Sequence, residues 1–147
     1  MALVIGVEVV DWVADRLGDR YRLGTDIGIG WEREGKLVAG VAYSGWNGVN
    51  IEAHIASEGT HWLNRQYLWT IFDYPFNQVG AGRITTCVNE GNVKSRRFTG
   101  HLGFKLEAKL AGAHPTGDLL IYRLLKTECR WIKGDSDGKK QRFRTTT

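Results

Sequence analysis

No run of 18 or more apolar residues occurs in the 147-residue chain, so a membrane-spanning helix is not expected. The first ten residues carry Glu8 and no Lys or Arg, the reverse of a secretory leader, and the expected location is the cytoplasm. Only two cysteines are present, Cys87 and Cys129. They form no CxxC pair and no Cys/His group at metal-ligand spacing, so no metal centre is expected. Both fall in apolar runs and read as two buried thiols behaving as small hydrophobes. No internal repeat and no low-complexity stretch is visible before the last 15 residues.

What is present fits one soluble domain with one core: 42% of residues are apolar and 24% are charged. The net charge of +4 is unevenly spread. Lys133, Lys139, Lys140, Arg142 and Arg144 against Asp135 and Asp137 give the segment 133–147 a charge of +3, which leaves +1 for residues 1–132. That tail holds one large apolar residue, Phe143, and lacks periodicity, so it reads as solvated, with a loose DNA contact or a partner-docking role as alternatives. The expected organisation is a folded domain over 1–132 and a basic tail over 133–147.

Hydrophobic periodicity supplies the element order. Ala2 to Ile5 is a short apolar strand, and Val9, Val13 and Leu17 share one face of a helix that Gly18 stops. Three strand patterns follow over Asp26–Glu32, Leu37–Tyr43 and Val49–Ile55, separated by the turns Glu34-Gly35 and Trp46-Asn47-Gly48. A helix pattern then runs from Thr60, a candidate cap, to about Tyr74, with Pro75 as its stop. Arg83–Val88 reads as a strand. Asn92–Leu102 reads as a short helix capped by Asn92 and closed by Gly103. Phe104–Leu110 and Leu119–Leu125 are two last strands joined by the loop AGAHPTG. The order β-α-β-β-β-α-β-α-β-β implies an α+β fold: one mixed, mostly antiparallel sheet of about seven strands with helices on both faces.

The stretch NEGNVKSRRFTGHLGFKLEAKL, starting at Asn89, resembles the C-terminal half of a GNAT-superfamily N-acetyltransferase. Asn92, Ser95, the Leu102-Gly103-Phe104 turn and Glu107 fill the family's places in register. The likeness is greatest to the branch with ribosomal-protein and antibiotic acetyltransferases, and the compact size is similar to bacteriophage-type members. It covers about residues 1–132. The resemblance implies acetyl-coenzyme A as cosubstrate and an amine acceptor: a small molecule or a modified nucleotide or nucleobase, with the host cytoplasm as location if phage-encoded. A protein N-acetyltransferase and a GNAT-fold binding protein without activity stay open as alternatives, as does a homodimer.

The resemblance also implies site residues. The donor's pantetheine arm would pair with backbone between splayed fourth and fifth strands, with a backbone N–H near Ile55, Ala56 and Ser57 polarising the thioester carbonyl. The pyrophosphate would sit at the helix N-terminus after the fourth strand. The family's loop there has several small residues; this chain keeps Gly59 and places Trp62 where another is expected, so Thr60 and Arg65 are expected to compensate. Asn92 and Ser95 are further expected cofactor contacts, and Asn92 doubles as a helix cap.

An alkyl amine with a pKa near ~10 is about 99.9% protonated at pH 7 and needs a base. Glu52 and His54, two apart on the fourth strand, point to one face. Glu52 falls where many family members carry the base, and His54 is the other candidate. The family's usual acid, a tyrosine seven residues after the asparagine, is replaced by Thr99; Tyr122 and His101 are candidate substitutes beside water. Trp46, in the turn SGWNG, is a candidate wall of the acceptor pocket.

Overall fold

The computed structural model describes residues 2–17, 27–59 and 64–132, and the backbone of 143–146. Seven strands and three helices follow in the expected order: β1 (Ala2–Gly6), α1 (Val7–Leu17), β2 (Ile27–Arg33), β3 (Lys36–Ser44), β4 (Asn50–Ser57), α2 (Arg65–Asp73), β5 (Arg83–Asn89), α3 (Val93–His101), β6 (Lys105–His114) and β7 (Gly117–Leu125). An eighth strand, β8 (Phe143–Thr146), completes one sheet in the order β6-β7-β5-β4-β3-β2-β1-β8. Pairing is antiparallel throughout except β4 with β5 and β1 with β8. No helix among the described residues is long and apolar enough to cross a membrane.

The alternation that identified the strands also divides the core in two. Ile29, Val41, Tyr43, Ile51, Ala53, Ile84, Val88, Leu120 and Leu124 point to one face, where α2 and α3 bring Tyr67, Leu68, Ile71, Phe72 and Leu102. Two phenols pin α2 there: Tyr67 Oη donates to the Ile29 carbonyl at 2.9 Å and Tyr43 Oη to the Ile71 carbonyl at 2.5 Å. Burial holds both phenols un-ionised, pushing their pKa values well up. On the other face α1 sets Val9, Val10 and Val13 against Val4, Leu37, Ala42 and Ala56. This helix lies close because the strands beneath it carry glycine: a Cβ at Gly28 would stand 2.9 Å from Val9 Cβ, and one at Gly40 would stand 2.8 Å from Val13 Cγ2.

Four expectations change. Helix α2 begins at Arg65, capped by Asn64, whose side chain accepts from Tyr67 N at 2.8 Å; Thr60 lies outside the described residues. Pro75 stops only the α-helical geometry, which ends at Asp73 as expected, and not the winding. With no N–H, it cannot make the i→i−4 bond, and the chain widens into a π-helix over Tyr74–Val79, closed by left-handed Gly80 with Ala81 N donating to the Pro75 carbonyl at 2.9 Å. Strand β6 runs on through Gly112 and Ala113 to His114, so the expected seven-residue loop shrinks to a tight turn at Pro115-Thr116. Finally, the tail is not wholly solvated: Phe143–Thr146 pair in parallel with β1, satisfying the outer edge of that strand.

The close seat of α1 gives a direct test. Gly40→Val should overpack the α1 interface and cost about 1–3 kcal/mol, read as a lower urea midpoint. An unchanged midpoint would mean that α1 moves away freely.

Candidate functional site

Strands β4 and β5 are parallel neighbours, yet they pair at only three positions: Asn50↔Arg83, Ile51↔Ile84 and Glu52↔Thr85. Beyond Glu52 the ladder stops although β4 continues to Ser57 and β5 to Asn89. On its other side β4 pairs with β3 through Ser57, and β5 pairs with β7 through Asn89. The sheet therefore forks, and the fork is lined by the inner backbone edges of 53–57 and 86–89. At its base the Thr86 hydroxyl donates to the Ala53 carbonyl at 2.8 Å. Because N–H and C=O groups alternate sides along a strand, that bond fixes the geometry: Ala53, Ile55 and Ser57 direct backbone groups into the fork.

Parallel strands end on the same side of a sheet, and the helices that follow them begin there. Both α2 and α3 thus start over the mouth of the fork. Arg65 is exposed in the first turn of α2, behind Asn64, and Gly59, at φ +67°, turns the chain between Ser57 and that helix. Asn92 caps α3, accepting from Ser95 N at 3.0 Å. Its Oδ1 is thereby committed, and its amide NH₂ still has donor capacity. The guanidinium of Arg16, near the end of α1, pairs with the Glu58 carboxylate and ties that helix to the segment after β4. An open groove of about 710 Å³ between α1 and the β2–β3 turn, lined by Trp12, Arg33, Gly35 and Glu58, contains none of the candidate residues.

The side chains of β4 alternate across the fork. Ile51, Ala53 and Ile55 face the α2–α3 core, whereas Glu52, His54 and Ala56 face the side of α1. The α1 core draws on strands β1 to β4, so the same face of β5 carries Thr85 and Cys87 beyond its edge, and Cys87 is exposed. This corrects the expectation of two buried thiols; only Cys129 is buried. Alternation explains it, since Ile84, Thr86 and Val88 take the buried face and Cys87 the other. Desolvation raises the Cys87 pKa, and the nearby Glu52 charge raises it further. The Glu52 carboxylate lies over Gly45: a Cβ there would come within 2.6 Å of Glu52 Oε2. His54 is buried and its Nε2 lies 2.7 Å from Ser44 Oγ. Burial lowers its pKa to about 4, which keeps the imidazole neutral at pH 7.

The structure thus brings Glu52, His54, Ile55, Ala56, Ser57 and Gly59 onto or beside one strand of the fork, with Arg65, Asn92 and Ser95 at the two helix starts above it. Thr99 is buried on α3. Tyr122 is buried on β7, where it pairs with Thr86 and Leu106. His101 ends α3, beside Trp131, at the opposite end of that helix from Asn92. Trp46 is 45% exposed in a turn held by Asn47, whose Oδ1 accepts from the N–H groups of Val49 and Asn50. Sequence reasoning missed Thr86. Its signal was a hydroxyl at the middle of the apolar stripe Ile84, Thr86, Val88.

The buried imidazole predicts a pH dependence. An unfolded histidine, with a pKa near ~6.5, takes up a proton before the folded one does. His54 thus costs no stability above that pH, and stability falls as pH drops from 6.5 towards 4, by up to about 3 kcal/mol. His54→Gln should flatten the loss between pH 7 and 5 in urea melts. Parallel pH profiles for the two proteins would show that His54 is not desolvated.

No family model matches the chain, and no curated protein matches it. Solved structures do. A chimera of the spermidine N-acetyltransferase of Vibrio cholerae aligns with TM-score 0.69 and 14% identity over 90% of this chain and 100% of that one. An acetyltransferase of the GNAT family from Bacillus anthracis aligns with TM-score 0.55 and 18% identity over 69% of this chain and 66% of that one. A putative acetyltransferase of Salmonella typhimurium, solved with its cofactor acetyl-CoA, gives TM-score 0.57 and 18% identity over 67% and 64%. The chain thus spans about two thirds of the length of the last two. It has the fold of the GNAT-type acetyltransferases.

Proposed function

We propose that the protein transfers an acetyl group from acetyl-coenzyme A to a primary amine carried by a small molecule or a nucleotide. The observation that carries this reading is the fork: backbone edges of β4 and β5 unpaired with each other beyond Glu52, in a fold whose solved examples include one with acetyl-CoA. A pantetheine arm contains two amides and can add to such an edge as a strand would. The Ile55 N–H, aimed into the fork, is the donor for the thioester oxygen as the carbonyl becomes tetrahedral. Gly59 lets backbone approach the pyrophosphate, with Arg65 and the start of α2 supplying positive charge. Asn92 donates to the arm from its amide nitrogen, and Ser95 lies one turn further along α3.

The acceptor enters from the face that carries Glu52. Its nitrogen attacks the thioester carbon, the carbon–sulfur bond breaks, Glu52 takes the ammonium proton and the coenzyme A thiolate takes one from water. Glu52 is the better placed of the pair, because His54 is buried with its Nε2 against Ser44 Oγ, whereas Glu52 is only half-buried. His54 orients the strand through Ser44, and Trp46 offers an aromatic wall to the acceptor.

Acetyl-CoA at 100 times its dissociation constant should stabilise the protein by about 2.7 kcal/mol, seen as a raised melting temperature. No shift at millimolar concentration sinks the proposal.

Once a broad amine screen, read by free-thiol release, supplies an acceptor, Glu52→Gln should lower turnover at pH 7 at least about a hundredfold. The melting shift with acetyl-CoA should stay unchanged, and the loss should shrink at high pH as the acceptor deprotonates unaided. His54→Gln should cost less than about tenfold. Normal turnover by Glu52→Gln removes Glu52 from the role.

A further inference from the structure

We infer that Thr86 is a positioning residue that sets where the sheet forks, and with it which backbone groups are presented to the donor arm; the second half rests on the acetyl-transfer reading. Thr86 is 5% exposed, and its neighbours on that face of β5, Ile84 and Val88, are buried and apolar. A hydroxyl in such a stripe is costly unless it finds a partner. Its partner is the Ala53 carbonyl at 2.8 Å, one residue past the last rung, Glu52↔Thr85.

That carbonyl has an obvious alternative partner. The Arg83 N–H donates to the Val49 carbonyl at 3.3 Å. A parallel ladder advances two residues at a time on each strand. The Ile51 carbonyl then falls to the Thr85 N–H, and the Ala53 carbonyl to the Cys87 N–H. In this protein the Thr86 side chain takes the Ala53 carbonyl instead. The bond does two things at once. It satisfies a buried carbonyl, so β4 gains little by closing onto β5, and it leaves the Cys87 N–H on the fork's inner edge as a donor. Thr86 thereby acts as a stop that holds the ladder at three rungs. A valine of the same shape would fill the same space without holding the carbonyl.

The comparison is wild type with Thr86→Val, which removes the donor, and Thr86→Ser, which keeps it. Thr86→Ala beside Thr86→Ser repeats the comparison at smaller volume should the valine variant fail to fold. Two quantities are measured: acetyl-CoA affinity by calorimetry, and hydrogen exchange of the Cys87 amide by NMR on the free protein. We expect Thr86→Val to bind acetyl-CoA at least about tenfold more weakly and to exchange the Cys87 amide more slowly, because that N–H closes onto Ala53. Thr86→Ser should match wild type in both. Equal affinity in wild type and Thr86→Val overturns the inference, and so does an equal loss in Thr86→Val and Thr86→Ser, which would mark a packing effect. If wild type itself does not bind acetyl-CoA, the acetyl-transfer reading fails and Cys87 exchange alone judges the fork: slowing in the valine but not the serine variant supports Thr86 as the stop, and identical exchange in all three overturns it.

Discussion

The three-rung parallel ladder between β4 and β5 is the constraint on which the rest of the molecule depends. A parallel pair cannot be joined by a tight turn, so the chain must cross over, and α2 with its π-helical extension is that crossover. A gap in the middle of a sheet is tolerable only if the strands beside it are held elsewhere. Here β4 is held by β3 from Glu52 to Ser57 and β5 by β7 along its whole length. The gap therefore leaves only inner-edge groups without a strand partner, and these can be satisfied by water or by an arm with amides of its own. The proposed site for an extended, amide-bearing ligand thus rests on pairing geometry, with the Thr86 hydroxyl on the Ala53 carbonyl where the ladder ends.

Side chains then give the two faces different work. Behind the fork, the Tyr67 phenol of α2 donates to a carbonyl of β2 and the Tyr43 phenol of β3 donates to a carbonyl of α2, and packed aromatics such as Phe72, Phe104 and Trp131 close that side. In front, α1 covers β1 to β4 and reaches no further, sinking onto Gly28, Gly30 and Gly40. The step between α1 and the uncovered face of β5 is where Glu52, His54 and Cys87 point. His54, being buried, stays neutral and adds no positive charge beside Glu52. The proposed chemistry lies on one side and the scaffold on the other.

Much of this was legible in the sequence because local and global signals agree. Period-2 alternation over 50–57 gave both the strand and the shared face of Glu52 and His54. The Asn92 cap and the positive φ of Gly103 after α3 followed from residue type. The failures lie where tertiary context overrides a local rule. Pro75 ends an isolated α-helix, but the buried side chains of Pro75 and Phe76 keep the backbone winding as a π-helix. Gly112 and the residues beside it look like a loop, yet the strand carries them through an irregularity in the ladder and pairs with β7 again at His114↔Gly117. Phe143–Thr146 has no amphipathic pattern of its own, and its strand comes from the free edge of β1. The fork itself leaves no sequence signature, since it consists of bonds that are not made; only the hydroxyl of Thr86 marks the place.

In the proposed reaction, the lack of a tyrosine acid at Thr99 is a matter of proton accounting. Attack by an amine delivers a proton that must leave nitrogen, and at pH 7 the acceptor begins as an ammonium ion about 3 pH units below its pKa. Without a base, only about one molecule in a thousand is competent. The leaving group poses the smaller problem: a thiolate of pKa near ~8.5 lies within two units of the solution pH and departs without prior protonation far more readily than an alkoxide. In the proposed reading the base on β4 therefore matters more than an acid on α3. Glu52 sits at the last rung before the fork opens, while Thr99 is turned into the core and α3 contributes a capped N-terminus instead of a proton donor. A tyrosine at position 99 would have to displace that packing to reach the fork, so in the proposed reading α3 holds the donor's arm and supplies no acid.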